Sequence, residues 1–240
     1  MKKFMIIFAV ILALGMISST IGIAADIYSL FGARNRGSPA DWPDPKELVV
    51  DWNFEDGMPD TTYRDGTAEI VQLTGNKALK KYMNMNSTAD SYFHVRAERL
   101  PEKYQDTNPD TDEIVFGSSI IYVSIDLMRT ANQLYQQTFQ FKGGDGKPLE
   151  DCWCVLENGT IVSPVGEQIG KLKENRWTTV GIRIDMDART FDYYYNGKYV
   201  TSCSFDYEMN MIKYFNLWGP AQAETRSIYI DNIQIFYEEK

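Results

Sequence analysis

The segment that most constrains the fold lies in the C-terminal third, where apolar and polar residues alternate around a tight-turn signal. In Trp177-Thr-Thr-Val-Gly-Ile-Arg-Ile-Asp185, the residues Val180, Ile182 and Ile184 share one face. In Phe191-Asp-Tyr-Tyr-Tyr-Asn-Gly-Lys-Tyr-Val200, the pair Asn196-Gly197 sits between two apolar-rich runs. A period of two is the signature of a half-buried strand. Asn-Gly between such runs predicts a hairpin, because a type I′ turn needs positive φ at both central residues. Ser227-Ile-Tyr-Ile-Asp-Asn-Ile-Gln-Ile-Phe-Tyr237 reads as a closing strand.

The pattern extends upstream. Val50, Trp52 and Phe54 fall on one face of Leu48–Glu55, with Asp51, Asn53 and Glu55 on the other. Further strands are expected at Ala68–Leu73, Ala78–Met83, Tyr92–Ala97, Ile114–Met128, Leu134–Phe141 and Asp151–Leu156, with Glu157-Asn-Gly-Thr160 as another hairpin tip. No segment has the period of a long amphipathic helix. Short strands with frequent turn signals predict an all-β sandwich or barrel. The expected core includes Trp52, Phe54, Val180, Ile182, Ile184 and Phe191.

The N-terminus points to a compartment. Met1-Lys2-Lys3 is basic, Phe4–Ile23 is almost wholly apolar or small, and Gly22-Ile-Ala-Ala25 supplies small residues before Asp26. That is the layout of a secretory signal peptide over residues 1–25, and it implies a secreted or cell-surface protein. An uncleaved anchor is the competing reading, since about 20 apolar residues can span a bilayer. No second such run occurs, so no stable membrane insertion is expected after cleavage. Residues 26–46 carry Pro39, Pro43 and Pro45 without periodicity and read as a linker. The domain is then expected over residues 47–238, long enough for a full core without staples.

Charge narrows the partners. The chain carries 24 basic and 33 acidic residues. Loss of residues 1–25 removes Lys2 and Lys3, leaving 22 against 33, or −11. So acidic a surface disfavours nucleic acid and polyanionic glycans and suits a neutral or cationic partner.

Taken together, Asp51-Trp-Asn-Phe-Glu-Asp-Gly57, the Trp177–Asp185 strand, the Tyr195-Asn-Gly-Lys198 hairpin and Tyr229-Ile-Asp-Asn-Ile233 resemble the concanavalin A-like lectin/glucanase superfamily. Within it they look most like laminin G-like jelly-roll modules of secreted bacterial proteins. The galactose-binding-like modules share the Phe-Glu opening and the Tyr-Ile-Asp-Asn-Ile ending, and the hairpin favours the first group. The resemblance implies an antiparallel two-sheet jelly-roll sandwich with one concave sheet. It carries a prior for sugars and not a function, since a fold hosts many chemistries.

Hydrolases of this fold set two carboxylates across the concave sheet, and the laminarinase-like branch does so with Glu-x-Asp-x-x-Glu. That motif is absent here. Lyases of the fold need His or Tyr as base or acid and a cation to neutralise a uronate. His94, the one histidine, shares a face with Arg96 and Glu98 if Tyr92–Ala97 is a strand, but a Gln-Ile-His strand is missing. A surface strand is the plainer account of this segment.

Sugar binding draws on aromatic faces and converging polar groups. Tyr122, Ser124 and Asp126 share one strand face, and Gln136, Thr138 and Gln140 share another. Trp153 and Trp218 lie on strands that could adjoin them. The expected glycan site is therefore Tyr122, Asp126, Gln136, Gln140, Trp153 and Trp218, for a neutral glycan and without catalysis. The alternatives are a glycan-cleaving enzyme and a structural or protein-binding surface domain.

Pairing of the first and last strands would bring Glu55 near Asp231, with Asp56 just beyond. Carboxylates at a strand end are ligands suited to a structural Ca²⁺ ion, although the same acids could simply face solvent. Cys152 and Cys154 are expected on one face of a strand, where they would bridge each other poorly. Either could pair with Cys203, or all three could be buried free thiols. Cys-Trp-Cys without further Cys or His nearby is not a zinc pattern.

Overall fold

Asn196 and Gly197 close a hairpin with φ values of 50° and 77°, the two positive angles that a type I′ turn requires. The Asn196 carboxamide also accepts a hydrogen bond from the Thr179 amide at 3.1 Å, tying the turn to the neighbouring strand. A computed structural model describes residues 41–57, 59, 62–64, 68–73, 77–82, 91–129, 137–144, 149–205, 211–219 and 227–238. The expected signal peptide and residues 26–40 of the expected linker lie outside them.

Seventeen strands occur among the described residues. They begin with Val50–Trp52 (β1), Thr62–Arg64 (β2), Ala68–Gln72 (β3), Lys77–Tyr82 (β4) and Ser91–Arg96 (β5). Gln105–Thr107 (β6), Ile114–Phe116 (β7), Ile120–Arg129 (β8), Gln137–Gly143 (β9) and Leu149–Val155 (β10) follow. Thr160–Val162 (β11), Gln168–Lys171 (β12), Thr178–Asp185 (β13) and Thr190–Tyr195 (β14) come next. Lys198–Ser204 (β15), Ile212–Gly219 (β16) and Ser227–Tyr237 (β17) complete the series. Helix among the described residues is limited to two three-residue 3₁₀ turns, Ala97–Arg99 and Glu102–Tyr104.

All strand pairings are antiparallel and form two large sheets. One runs β15-β14-β13-β8-β17-β4-β3 with β1 also paired to β17, and the other runs β12-β11-β10-β9-β16-β5-β2. Strands β6 and β7 form a separate pair. The first and last strands are neighbours as expected, with Val50 opposite Ile235 and Trp52 opposite Ile233.

Alternation decides what lies between the sheets. Val123, Ile125, Val180, Ile182, Ile184 and Phe191 are buried from the eight-stranded sheet. Phe93, Val95, Phe139, Phe141, Phe215 and Leu217 meet them from the seven-stranded sheet. Phe54 is buried and Trp52 packs against the same cluster, so the core expected from the sequence is the core observed. At about 25 cal/mol per Å² of apolar surface removed from water, this continuous layer is the main stabilising term.

The long strand expected over Ile114–Met128 is broken. Gly117 passes so close to the chain at Tyr104 and Gln105 that an added Cβ would sit 3.2 Å from both carbonyl oxygens. The Ser118 hydroxyl donates to the Ile120 carbonyl at 2.9 Å, and this short bend separates β7 from β8.

The end of the Pro-containing stretch lies on the sheet. The Trp42 amide donates to the Gly197 carbonyl at 2.9 Å. Its indole makes edge contacts with Tyr122, Tyr194 and Phe236 at centroid distances of 5.4, 5.0 and 5.6 Å.

Candidate functional site

The six residues expected to form one glycan site are divided by the fold. Tyr122 and Asp126 lie on the eight-stranded sheet, facing away from the core. Gln140 lies on the corresponding face of the seven-stranded sheet, across the whole sandwich from them. Trp218 occupies a position on that same face. Gln136 lies outside the described residues.

Trp153 is 1% exposed and stacks on Phe139 at 5.2 Å between the sheets, so it is core and not a platform. The reason is a β-bulge. Asp151 pairs with Gln140 and Trp153 pairs with Phe139, leaving Cys152 as the extra residue. An inserted residue breaks the two-residue alternation. Cys152 and Trp153 are consequently both buried, whereas Cys154 is half-buried beside Thr138. The expectation that Cys152 and Cys154 share a face fails at the same bulge. All three cysteines are free thiols.

Strand register builds a different constellation on the seven-stranded sheet. Tyr214 of β16 is flanked by Arg96 of β5 and Lys142 of β9. One step along, Asn216 is flanked by His94 and Gln140, and Gln140 by Asp151 of β10. A further step along, positions 92, 218 and 138 form the third row. Phe215 and Leu217 alternate with this set and enter the core.

The middle row is a directed relay. The ionised Asp151 carboxylate can only accept, so it fixes Gln140 with Nε2 toward Oδ1 at 2.7 Å. Gln140 Oε1 must then accept, and it does so from Asn216 Nδ2 at 2.9 Å. Asn216 is fully buried, and its Oδ1 accepts no hydrogen bond. Leaving a buried acceptor unmatched costs roughly 1–3 kcal/mol, and with no surface of its own Asn216 acts by holding Gln140 in place.

Beside the relay, the imidazole of His94 stacks on Tyr214 at 4.7 Å with the planes 19° apart. The Arg96 guanidinium lies 5.7 Å from the Tyr214 ring centroid and pairs with Glu98 at 3.1 Å. The described side chains of this face thus include the Tyr214 ring, a histidine, an arginine and a set of oriented amides. Tyr214, Asn216 and Asp151 were not singled out from the sequence. The alternation in Lys213-Tyr-Phe-Asn-Leu-Trp218 was the signal that could have found the first two.

On the opposite sheet, Asp126 faces Asp231 across the β8–β17 ladder. Asp126 accepts from Thr179 Oγ1 at 2.5 Å and from Asn232 Nδ2 at 2.8 Å. Asp231 is buried and accepts from the Asn232 amide at 2.9 Å, whereas Glu55 and Asp56 are exposed in the turn after β1. No group of three or more His, Cys, Asp or Glu placed to hold a metal occurs among the described residues. Nor is any described helix long and apolar enough to cross a membrane.

No protein-family model matches the chain, and no curated protein does either. Solved structures do resemble it. A sialidase superposes with a TM-score of 0.57 at 12% identity over 82% of this chain, which spans only 19% of the sialidase. The cellulose-induced protein Cip1 gives 0.54 at 11% identity, covering 78% of this chain and 96% of its own. The catalytic domain of an endo-1,3-β-glucanase (laminarinase) from Thermotoga petrophila RKU-1 gives 0.53 at 15% identity, covering 84% and 100%. Likeness at such low identity speaks to fold alone. With its two antiparallel sheets and β1 paired to β17, the chain has a jelly-roll sandwich fold.

Proposed function

We propose that this chain is a secreted or cell-surface glycan-binding module whose site is the face of the seven-stranded sheet around Tyr214, Asn216 and Gln140. The observation that carries the reading is the Asp151–Gln140–Asn216 relay, which orients two carboxamides beside the His94–Tyr214 stack. Sugar hydroxyls need several fixed donors and acceptors next to an aromatic surface. The sialidase, Cip1 and laminarinase likenesses add support, since their names concern glycans or cellulose. The acidity of the whole chain favours a neutral glycan. Glycan-array binding should weaken at least about tenfold, or 1.4 kcal/mol, in Tyr214→Ala and in Gln140→Ala. Both variants should remain folded, with Gln140→Ala losing in addition about 1–3 kcal/mol of stability through the unmatched Asn216 Nδ2. Unaltered binding in both variants would refute the site.

A second reading is eliminative cleavage of a uronate-containing glycan, favoured by the gathering of His94, Tyr214 and Arg96. Arg96 would hold the carboxylate, and His94 or Tyr214 would take the proton from the adjacent carbon. The C–O bond at the β-carbon would then break, its oxygen taking a proton from the other of these two groups and leaving as a hydroxyl, with an unsaturated uronate on the second fragment. New ultraviolet absorbance from that product would support cleavage over binding.

A structural Ca²⁺ ion at Glu55, Asp56 and Asp231 is proposed on the neighbouring of β1 and β17. The exposure of Glu55 and Asp56, against the burial of Asp231, is a poor fit to one shared ion. A chelator should lower the melting temperature if the ion binds the native state. An unchanged melting temperature argues against it.

A further inference from the structure

The eight-stranded sheet bears a cleft of its own, on the face opposite the proposed glycan site. Trp42 creates it. With the indole packed on Tyr122, Tyr194 and Phe236, the chain is carried across the sheet by Pro43 and Pro45. It rejoins the sheet where the Val49 amide donates to the Ile235 carbonyl at 2.8 Å. The two proline rings fix φ and offer no N–H, so this wall cannot zip down onto the strands. Beneath it remains a cleft of about 850 Å³, within the range of small-ligand sites.

The walls combine aromatic rings with aimed acceptors. Tyr122 and Phe236 stack at 4.7 Å with planes 6° apart and form the floor. Tyr104 and Tyr237 meet edge to face at 6.4 Å on the far side. Glu47 Oε1 accepts from both Lys103 Nζ and the Tyr104 hydroxyl at 2.7 Å. Glu238 accepts from the Tyr122 hydroxyl and from Arg183 Nε and Nη2, each at 3.2 Å. Lys103 and Arg183 are not among the lining residues. Asp44 lines the cleft without a hydrogen bond or ion pair among the described residues. Three carboxylates and one ammonium, Lys46, therefore line the space.

We propose that this cleft binds a neutral saccharide, as a site separate from the face of the seven-stranded sheet. The ligand must donate several hydrogen bonds, because carboxylates only accept. It must present an apolar surface to tyrosine rings as well. A negative charge on the ligand is disfavoured, since Asp44, Glu47 and Glu238 outnumber Lys46 in the lining, although Lys103 and Arg183 offset two of them. A sugar with unmodified hydroxyls meets all three conditions, and a uronic acid fails the last.

The test is titration of the isotope-labelled full chain with glucose, galactose, mannose, xylose and glucuronate, followed by amide resonances. At least one neutral sugar should shift the amides of Glu47, Tyr104 and Glu238, and glucuronate should bind at least about tenfold more weakly. Asp44→Asn combined with Glu47→Gln, both at exposed positions, should weaken the neutral sugar by a similar factor, whereas Tyr214→Ala should not. No shift of these amides with any neutral sugar, or a preference for glucuronate, would overturn the proposal. A sugar that shifts only amides of β9 and β16 would overturn it too, while leaving the site on the seven-stranded sheet standing.

Discussion

The indole of Trp42 covers Gly181 so closely that a Cβ on Gly181 would lie 2.6 Å from Cζ3 and 2.9 Å from Cε3. Glycine inside a strand often marks such an approach, and here it seats the segment that walls the cleft. Gly181→Ala should therefore displace Trp42 at a cost of about 1–3 kcal/mol, the usual range for overpacking. Tryptophan emission should shift toward that of exposed indole, and the melting temperature should fall. An unchanged spectrum and melting temperature would mean that the segment is not held by this contact.

Trp153 gives an opposite expectation from the one its position in the sequence invited. Sandwiched against Phe139 and fully buried, it should behave as a core residue. Trp153→Ala should cost about 3–5 kcal/mol through lost transfer energy and the cavity left behind. Denaturant unfolding is the measurement, and loss of sugar binding without loss of stability would contradict the placement.

The contrast between Trp153 and the Asn196–Gly197 turn shows what a sequence can reveal. The turn follows from two residues whose allowed φ values are local properties, and the flanking alternation fixes the register. The burial of Val180, Ile182, Ile184 and Phe191 followed from the same period of two, whereas the pairing of β1 with β17 was implied by the family resemblance. The bulge at Cys152 has no such local signature, and one extra residue reversed the side on which Trp153 lies. The separation of Tyr122 from Gln140 was hidden for another reason. Each strand's parity could be read, but nothing local says which sheet a strand joins. Alternation could mark the face of Asn216, but its neighbours His94 and Gln140 emerged only once β16 was placed between β5 and β9.

Alkaline pH should expose the tyrosine-rich packing. Burial is the first cause raising the hydroxyl pKa of Tyr193, Tyr194 and Tyr237, and Tyr193 is displaced furthest. The Tyr193 hydroxyl donates to the Cys152 carbonyl at 2.7 Å and touches Cys203 Sγ at 3.5 Å. In the unfolded chain a tyrosine ionises near about pH 10. Above that pH the unfolded state holds fewer protons than the folded one, so stability falls as pH rises. Burial raises the thiols of Cys152 and Cys203 in the same direction, so their share of the loss starts nearer about pH 8.5. Each fully protected group contributes a slope of at most about 1.4 kcal/mol per pH unit. Tyr193→Phe should lower stability at neutral pH by about 1 kcal/mol through the lost hydrogen bond, yet flatten the alkaline decline by about 1.4 kcal/mol per unit. Urea unfolding at about pH 9 and about pH 11, either side of the free tyrosine value, reads the slope directly. Equal slopes in the wild type and Tyr193→Phe would show that this hydroxyl is not protected by the fold.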